Sequence, residues 1–90
     1  MRNAPHIEDL LRELAPQVLG VLVRRFDDFE AAEDAVQEAL LSAAVHWPAE
    51  GTPDNPRGWL TQTGSRKLLD QMRSEQARRR REGLAAQPEA

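Results

Sequence analysis

Residues 29–47 read FEAAEDAVQEALLSAAVHW, and apolar side chains recur in this stretch at steps of three and four residues. That spacing places them on one side of an α-helix. We therefore predict a helix from about Phe29 to His46. Either residue of Asp27-Asp28 can cap it, because an aspartate accepts hydrogen bonds from the unpaired N–H groups of a first turn. The predicted buried stripe consists of Ala32, Val36, Ala39, Leu40, Ala43 and Trp47.

A second amphipathic helix is predicted before this one, from about His6 to Phe26. Pro16 lies inside it, lacks a backbone N–H and clashes with the preceding turn, so we expect a kink or a break near Ala15. Its core-facing residues are predicted by the same three- and four-residue spacing. They are Ile7, Leu10, Leu11, Leu14, Val18, Val21 and Leu22.

A third helix is predicted from about Pro56 to Arg81, after a turn-rich loop that runs from Pro48 to Pro56. Asn55-Pro56 is typical of an N-cap followed by proline at the first helical position. Gly64 inside the helix indicates close packing or a bend, and Gly83 is expected to end the pattern. The candidate core residues are Trp59, Leu60, Thr63, Leu68 and Met72.

The 90 residues make at most one domain, and every predicted element is helical. We expect residues 1–83 to form that domain and residues 84–90 to be a frayed tail or the start of a linker. The chain has no cysteine, which fits a reducing cytosol. It has no apolar run of the roughly 18 residues that a membrane span needs, so we expect a soluble, cytoplasmic protein.

Catalytic chemistry finds little support in the sequence. His6 and His46 are far apart and have no carboxylate at a characteristic spacing, and the glycines form no phosphate-binding pattern. We therefore predict that the protein is not an enzyme and that it has neither a cofactor nor a metal site.

Charge is distributed very unevenly along the chain. Residues 1–50 carry four basic and ten acidic side chains, whereas residues 51–90 carry eight basic and five acidic ones. Six acids lie between Asp27 and Glu38 with no base among them. The acidic stretch of the second helix and the basic stretch of the third can each be interpreted simply as a solvated helix face. An acidic half and a basic half also fit a chain that binds two different partners. Trp47 and Trp59 flank the loop either as core residues or as a stacking platform for bases.

Three motifs resemble bacterial sigma factors of the extracytoplasmic-function group. The run AEDAVQEALL at 32–41 is similar to their AEDAVQEAFL motif, and NPRGWL at 55–60 is similar to NPRAWL. The segment RKLLDQMR at 66–73 resembles NRAIDRLR. All three come in the family's order and spacing, so the resemblance covers about residues 6–82 and indicates the second conserved region of these factors.

The resemblance implies a compact bundle of three to four helices with two binding surfaces. One surface docks on the β′ clamp coiled coil of RNA polymerase, and the other recognises and melts the promoter −10 element by holding the non-template single strand. An anti-sigma factor is a further candidate partner. The polymerase-binding residues it implies are Glu33, Asp34, Gln37, Glu38 and Leu41. The DNA-binding residues are Asn55, Arg57, Trp59, Thr63, Arg66, Lys67, Asp70 and Arg73.

The chain departs from the family's pattern at several positions. Leu40 replaces a phenylalanine, Gly64 an alanine and Ser65 an arginine or threonine, while Arg66 stands where many members have asparagine. The family also has a helix-turn-helix domain for the −35 element. We expect this chain to be one domain of such a protein, with residues 78–90 beginning the linker.

Two other functions stay open at the level of sequence. The chain fits a helical protein-interaction module whose acidic face binds a basic partner. This function does not account for the segment 55–60, which lies next to a basic helix. A double-strand DNA binder fits less well, because the loop before the basic helix is too long for a helix-turn-helix. The kind of DNA that binds discriminates the three functions. A sigma factor domain prefers single-stranded DNA, a double-strand binder prefers duplex DNA, and a protein-interaction module binds neither.

Overall fold

The computed structural model describes residues 3–86, and within that range it consists of three α-helices without a strand. They are α1 (Asn3–Phe26), α2 (Phe29–Glu50) and α3 (Pro56–Ala86). Each helix packs against the other two. The all-α bundle predicted from the sequence is confirmed. None of the helices in residues 3–86 has the length and the apolar character that a membrane crossing requires.

The two helix starts predicted from capping residues are confirmed. The backbone N–H of Ala31 donates to Asp28 Oδ1 at 3.1 Å, which makes Asp28 the cap of α2. Asp27 adopts a left-handed conformation with φ 55° and turns the chain between α1 and α2. At the start of α3, the N–H of Gly58 donates to Asn55 Oδ1 at 3.1 Å, with Pro56 in the first helical position.

Proline interrupts neither α1 nor α2, so the predictions of a break in the first helix and of an end of the second helix at about His46 are both wrong. Helix α1 continues through Pro16, and the expected break near Ala15 does not occur. The residues on either side, Leu14 and Val18, are both buried, so core packing holds the helix together across the missing hydrogen bond.

Helix α2 passes the predicted end at His46 and includes Pro48, so the connecting segment is only residues 51–55. Trp47 is 2% exposed and anchors this last turn in the core. Gly51, with φ 98°, closes the helix by donating its N–H to the Trp47 carbonyl at 2.7 Å.

Helix α3 is longer than predicted and continues past Gly83 to Ala86. Its side chains from Leu69 to Ser74 are all exposed, and between Gln71 and Arg79 it faces the first turns of α2 across an open groove. Arg78 forms ion pairs with Glu75 and Glu82 along this part. Residues 87–90, which belong to the predicted tail or linker, lie outside the described residues.

The core lies where the inward faces of the three helices meet. Val18 and Leu22 of α1 and Leu60 and Leu68 of α3 are fully buried. Most of the predicted core is confirmed, but Met72 is 48% exposed, because it lines the open groove between α3 and the start of α2. The complete buried set is Ile7, Leu11, Leu14, Val18, Leu22, Ala32, Ala35, Val36, Ala39, Ala43, Trp47, Leu60 and Leu68.

Gly64 marks the close approach of α3 to α1. A β-carbon built at this position would lie 2.9 Å from Leu22 Cδ1, which is too short for ordinary contact. Leu22 is fully buried and packed within the core cluster. Of the two roles predicted for Gly64, close packing is the one that this contact supports.

We predict that Gly64→Ala gives no gain in stability, whereas Gly20→Ala raises the free energy of unfolding by about 1 kcal/mol, the difference in helix propensity. At Gly20 the nearest atom to a new β-carbon is Arg24 Nη1, the end of a flexible side chain, at 3.6 Å. At Gly64 overpacking costs roughly 1–3 kcal/mol and offsets the same propensity gain. Urea unfolding followed by circular dichroism measures both. Equal stabilisation by the two substitutions would contradict the close packing of Leu22 on Gly64.

Candidate functional site

The acidic face of α2, which we define as Glu33, Asp34, Gln37, Glu38 and Leu41, is fully open to solvent. All five side chains are exposed, and Leu41 is 66% exposed. At 3.6 residues per turn they span an arc of about 140° on the side of α2 away from the core. The structure thus brings together every residue that the sequence assigned to polymerase binding.

One apolar residue beside this face was not singled out from the sequence. Val45 is 69% exposed and stands one turn after Leu41, so the two form an apolar strip at the end of the acidic face. The signal was present in the sequence, because both residues are apolar yet lie off the buried stripe. Large exposed aliphatic side chains next to each other are typical of a contact surface.

The basic face of α3, which we define as Trp59, Thr63, Arg66, Asp70 and Arg73, follows one side of that helix. These positions are three or four residues apart, so they form a continuous strip. Trp59 and Thr63 are half-buried and the other three are exposed. Arg73 Nη2 donates to Asp70 Oδ1 at 2.8 Å, which fixes both side chains on the surface.

The remaining predicted DNA-binding residues do not lie on this strip. Lys67 is turned towards α2, and its Nζ is 3.6 Å from Glu38 Oε1. Arg57 is turned towards α1, where its Nη1 donates to Gln17 Oε1 at 3.0 Å. Asn55 uses its side chain to cap α3. Arg57 and Arg66 therefore lie on different sides of α3, so the DNA-binding residues that the resemblance implies do not share one face.

A shallow groove separates the second half of α2 from the basic face. Its α3 wall contains Trp59, Thr63 and Arg66, and its α2 wall contains Ser42 and His46. His46 Nδ1 is 2.8 Å from the carbonyl oxygen of Ser42, so Nδ1 carries a proton and donates it there. The α2 wall was missed by the sequence analysis, since nothing in the spacing of Ser42 and His46 points towards α3.

The two tryptophans pack edge to face, with Trp47 inside the core and Trp59 at its edge. Their ring centroids are 5.3 Å apart with an interplanar angle of 69°. Trp47 is a core residue, and among the described residues its buried Nε1 has no hydrogen-bond partner. Trp59 is half-buried, leans on the core and also lines the groove. Trp47 therefore supports Trp59 from below and holds it at the groove.

No set of three or more histidine, cysteine, aspartate or glutamate side chains within residues 3–86 is arranged to hold a metal ion. His6 and His46 are both exposed, and they lie on different helices. On these faces only Glu38, paired with Lys67, and Asp70, paired with Arg73, form ion pairs among the described residues, and both pairs lie at the surface. The arrangement is that of a binding surface with two electrostatically opposite faces.

We predict that Trp47→Ala lowers the free energy of unfolding by about 3–5 kcal/mol, the usual cost of removing a large buried aromatic side chain. Trp59→Ala is expected to cost less than Trp47→Ala, because part of its ring is already exposed. Urea unfolding of both variants measures the difference. A larger loss for Trp59→Ala would contradict the assignment of Trp47 as the supporting ring.

Comparison with known proteins gives one family and one relative of unknown function. A family model described as Sigma-70 region 2 matches residues 10–79, a range that contains both faces. An uncharacterized protein of Rhizobium meliloti (strain 1021) is 36% identical over 73 residues, which cover 81% of this chain and 17% of that protein. The chain thus spans less than a fifth of the length of that relative. The search of solved structures gave no significant match.

Proposed function

The chain belongs to the sigma-70 region 2 family, and on this basis we propose that it joins RNA polymerase to the −10 element of promoters. Membership of this family makes it a sigma factor domain of transcription initiation, a class of domain that is not enzymatic. The finer proposal has two parts, one for each face. The observation that carries it is the separation of an acidic and a basic face on different helices of one bundle.

The acidic face is proposed to bind the β′ clamp coiled coil of the polymerase. Among the described residues, Glu38 is the one acid of this face that forms an ion pair, and its partner Lys67 is 3.6 Å away. Glu33 and Asp34 have no ion-pair partner there, and like charges at helical spacing repel one another. A basic helical partner relieves this repulsion and is steered towards the face by long-range attraction.

The apolar strip of Leu41 and Val45 supplies the part of the interface that excludes water. Stable contacts combine a desolvated centre with a polar rim, because the hydrophobic contribution comes from the apolar surface removed from water. Leu41 and Val45 are 66% and 69% exposed, so both have apolar area to bury. The acidic side chains would thus favour a basic partner, and burial of the aliphatic side chains would stabilise the complex.

The basic face is proposed to bind the non-template single strand of the −10 element. Arg66 and Arg73 are exposed and suited to phosphate contacts, which position DNA without reading its sequence. Trp59 lies at the groove with one side of its ring supported by Trp47, so a base can stack on the accessible part. Thr63 and the groove residues Ser42 and His46 offer hydrogen-bonding groups to that base.

Melting follows from a difference in affinity between the two forms of DNA. Extruding a base from the duplex costs a few kcal/mol, and each base stacked on an aromatic ring returns roughly 1–3 kcal/mol. Contacts at Trp59 and in the groove are available only to unpaired bases. Binding therefore shifts the equilibrium from duplex to open DNA.

The finer assignments made from the motifs are part of the same proposal. We propose that the protein is of the extracytoplasmic-function group, acts in the cytoplasm and is a candidate target of an anti-sigma factor. We further propose that residues 1–83 form the domain and that a linker begins at residue 84. Helix α3 continues to Ala86, so the linker would begin within a helix.

We predict that Asp34→Arg combined with Glu38→Gln abolishes binding to the β′ clamp coiled coil. Glutamine is chosen at position 38 because an arginine there would repel Lys67 and disturb the bundle. The matched control is Glu8→Arg with Glu13→Gln, two exposed positions on α1 with the same change in net charge. Fluorescence anisotropy with a labelled coiled coil measures both. Equal affinity of the two variants would remove the acidic face from the interface.

We predict that the wild-type chain prefers single-stranded −10 DNA to duplex, and that Arg66→Gln weakens this binding. One lost phosphate contact lowers the slope of log affinity against log salt by about 0.7 for a single strand. The control is Arg12→Gln, which removes a charge from α1 that already pairs with Asp9. A preference for duplex would support a conventional double-strand binder, and the absence of any DNA binding would support a protein-interaction module.

A further inference from the structure

A second groove lies on the other side of α3, between the end of α1 and the start of α3. We call it the arginine groove and define it by Arg24, Arg25 and Arg57. Its lining contains no acidic side chain, although the chain as a whole carries a net charge of −3. Neither the acidic face nor the basic face includes Arg24 or Arg25, and Arg57 is the one arginine of the groove that the family resemblance assigns to DNA.

The charge of the three arginines is uncompensated. All three are exposed, and none forms an ion pair with a described carboxylate. Arg25 Nη1 donates to Ser65 Oγ at 3.3 Å, and Arg57 Nη1 donates to Gln17 Oε1 at 3.0 Å. These partners are neutral. They hold Arg25 and Arg57 against the bundle and leave most of the five N–H donors of each guanidinium unused.

The lining favours phosphates over unpaired bases and over a protein partner. It contains no aromatic side chain on which a base could stack, in contrast to the groove at Trp59. Val21, its one large apolar side chain, is half-buried, so there is little apolar surface for a protein interface to cover. Polar and strongly positive surfaces of this kind are typical of contacts with a nucleic-acid backbone.

The arginine groove adjoins the basic face at the first turn of α3. Arg57 and Trp59 are two residues apart and point to opposite sides of the helix, Arg57 towards Gln17 and Trp59 towards Trp47. An α-helix with its side chains is about 10–12 Å across. The basic face and the arginine groove are therefore separated by about the width of one helix.

We propose that the arginine groove binds backbone phosphates of the double-stranded DNA that flanks the melted segment. This inference rests on the proposed function, since it takes the single strand to lie on the basic face. In paired DNA the bases are turned inwards, so the backbone is what an arginine-lined groove without aromatic residues can contact. The groove thereby holds the junction between duplex and open DNA without reading sequence.

The test compares two labelled oligonucleotides by fluorescence anisotropy over a range of salt concentrations. One is the −10 single strand, and the other is a forked DNA that carries the same single strand next to a duplex arm. The groove variant is Arg24→Gln with Arg25→Gln, and its charge-matched control is Arg80→Gln with Arg81→Gln in the exposed end of α3. Arg24→Gln alone is included, because Arg24 makes no side-chain hydrogen bond within the described residues.

We expect the groove variant to bind forked DNA more weakly and with a salt slope reduced by about 1.8, the value for two contacts to duplex phosphates. Between 50 and 200 mM salt its affinity would then fall about tenfold less than that of the wild type, according to the same relation. Its binding to the single strand is expected to equal that of the wild type. The control variant is expected to retain the wild-type slope with both oligonucleotides.

Three outcomes would overturn the inference. A wild-type slope for the groove variant with forked DNA would remove the arginine groove from the DNA contact and leave the proposed function standing. An equal loss with both oligonucleotides would indicate a general effect of net charge and not a duplex site. Failure of the wild-type chain to bind either oligonucleotide would remove the DNA part of the proposed function as well.

Discussion

Leu22 of α1 packs so closely on Gly64 of α3 that a β-carbon at position 64 would lie 2.9 Å from its Cδ1. Because Leu22 is fully buried, this contact brings the two helices together at the depth of the core. The position of α3 then follows. Trp59 comes to rest on Trp47 at one side of it, and Arg57 reaches Gln17 on the other. The acidic face, the basic face and the arginine groove all depend on this packing of α3 on α1, because each either includes residues of α3 or lies next to it.

The bundle keeps opposite charges on separate surfaces. The carboxylates of α2 carry no compensating lysine or arginine on that helix, whereas every described arginine lies on α1 or α3. Lys67 and Glu38 form the one ion pair between α2 and α3 among the described residues. Exposed pairs of this kind contribute at most about 1 kcal/mol. The faces are thus held apart by helix packing, and each is free to meet a partner of opposite charge.

Local signals in the sequence predicted the parts of the structure that local chemistry determines. Asp28 and Asn55 begin their helices as expected, since an N-cap is a contact between near neighbours. The continuation of helix through Pro16 and Pro48 was not predictable in the same way, because burial of distant residues outweighs the local cost of proline. The residues of the acidic face, by contrast, all lie on one helix, so their spacing alone is enough to group them. Arg57 could not be placed, because its orientation depends on Gln17 of α1.

We propose that one small bundle holds polymerase and open DNA at the same time on different faces. The most direct test is to titrate the labelled −10 single strand with this chain in the absence of the β′ clamp coiled coil and in its saturating presence. Separate faces predict that the coiled coil leaves DNA affinity unchanged or raises it, with a larger complex formed. Displacement of the DNA by the coiled coil would contradict the account, because it would mean that both partners use the same surface.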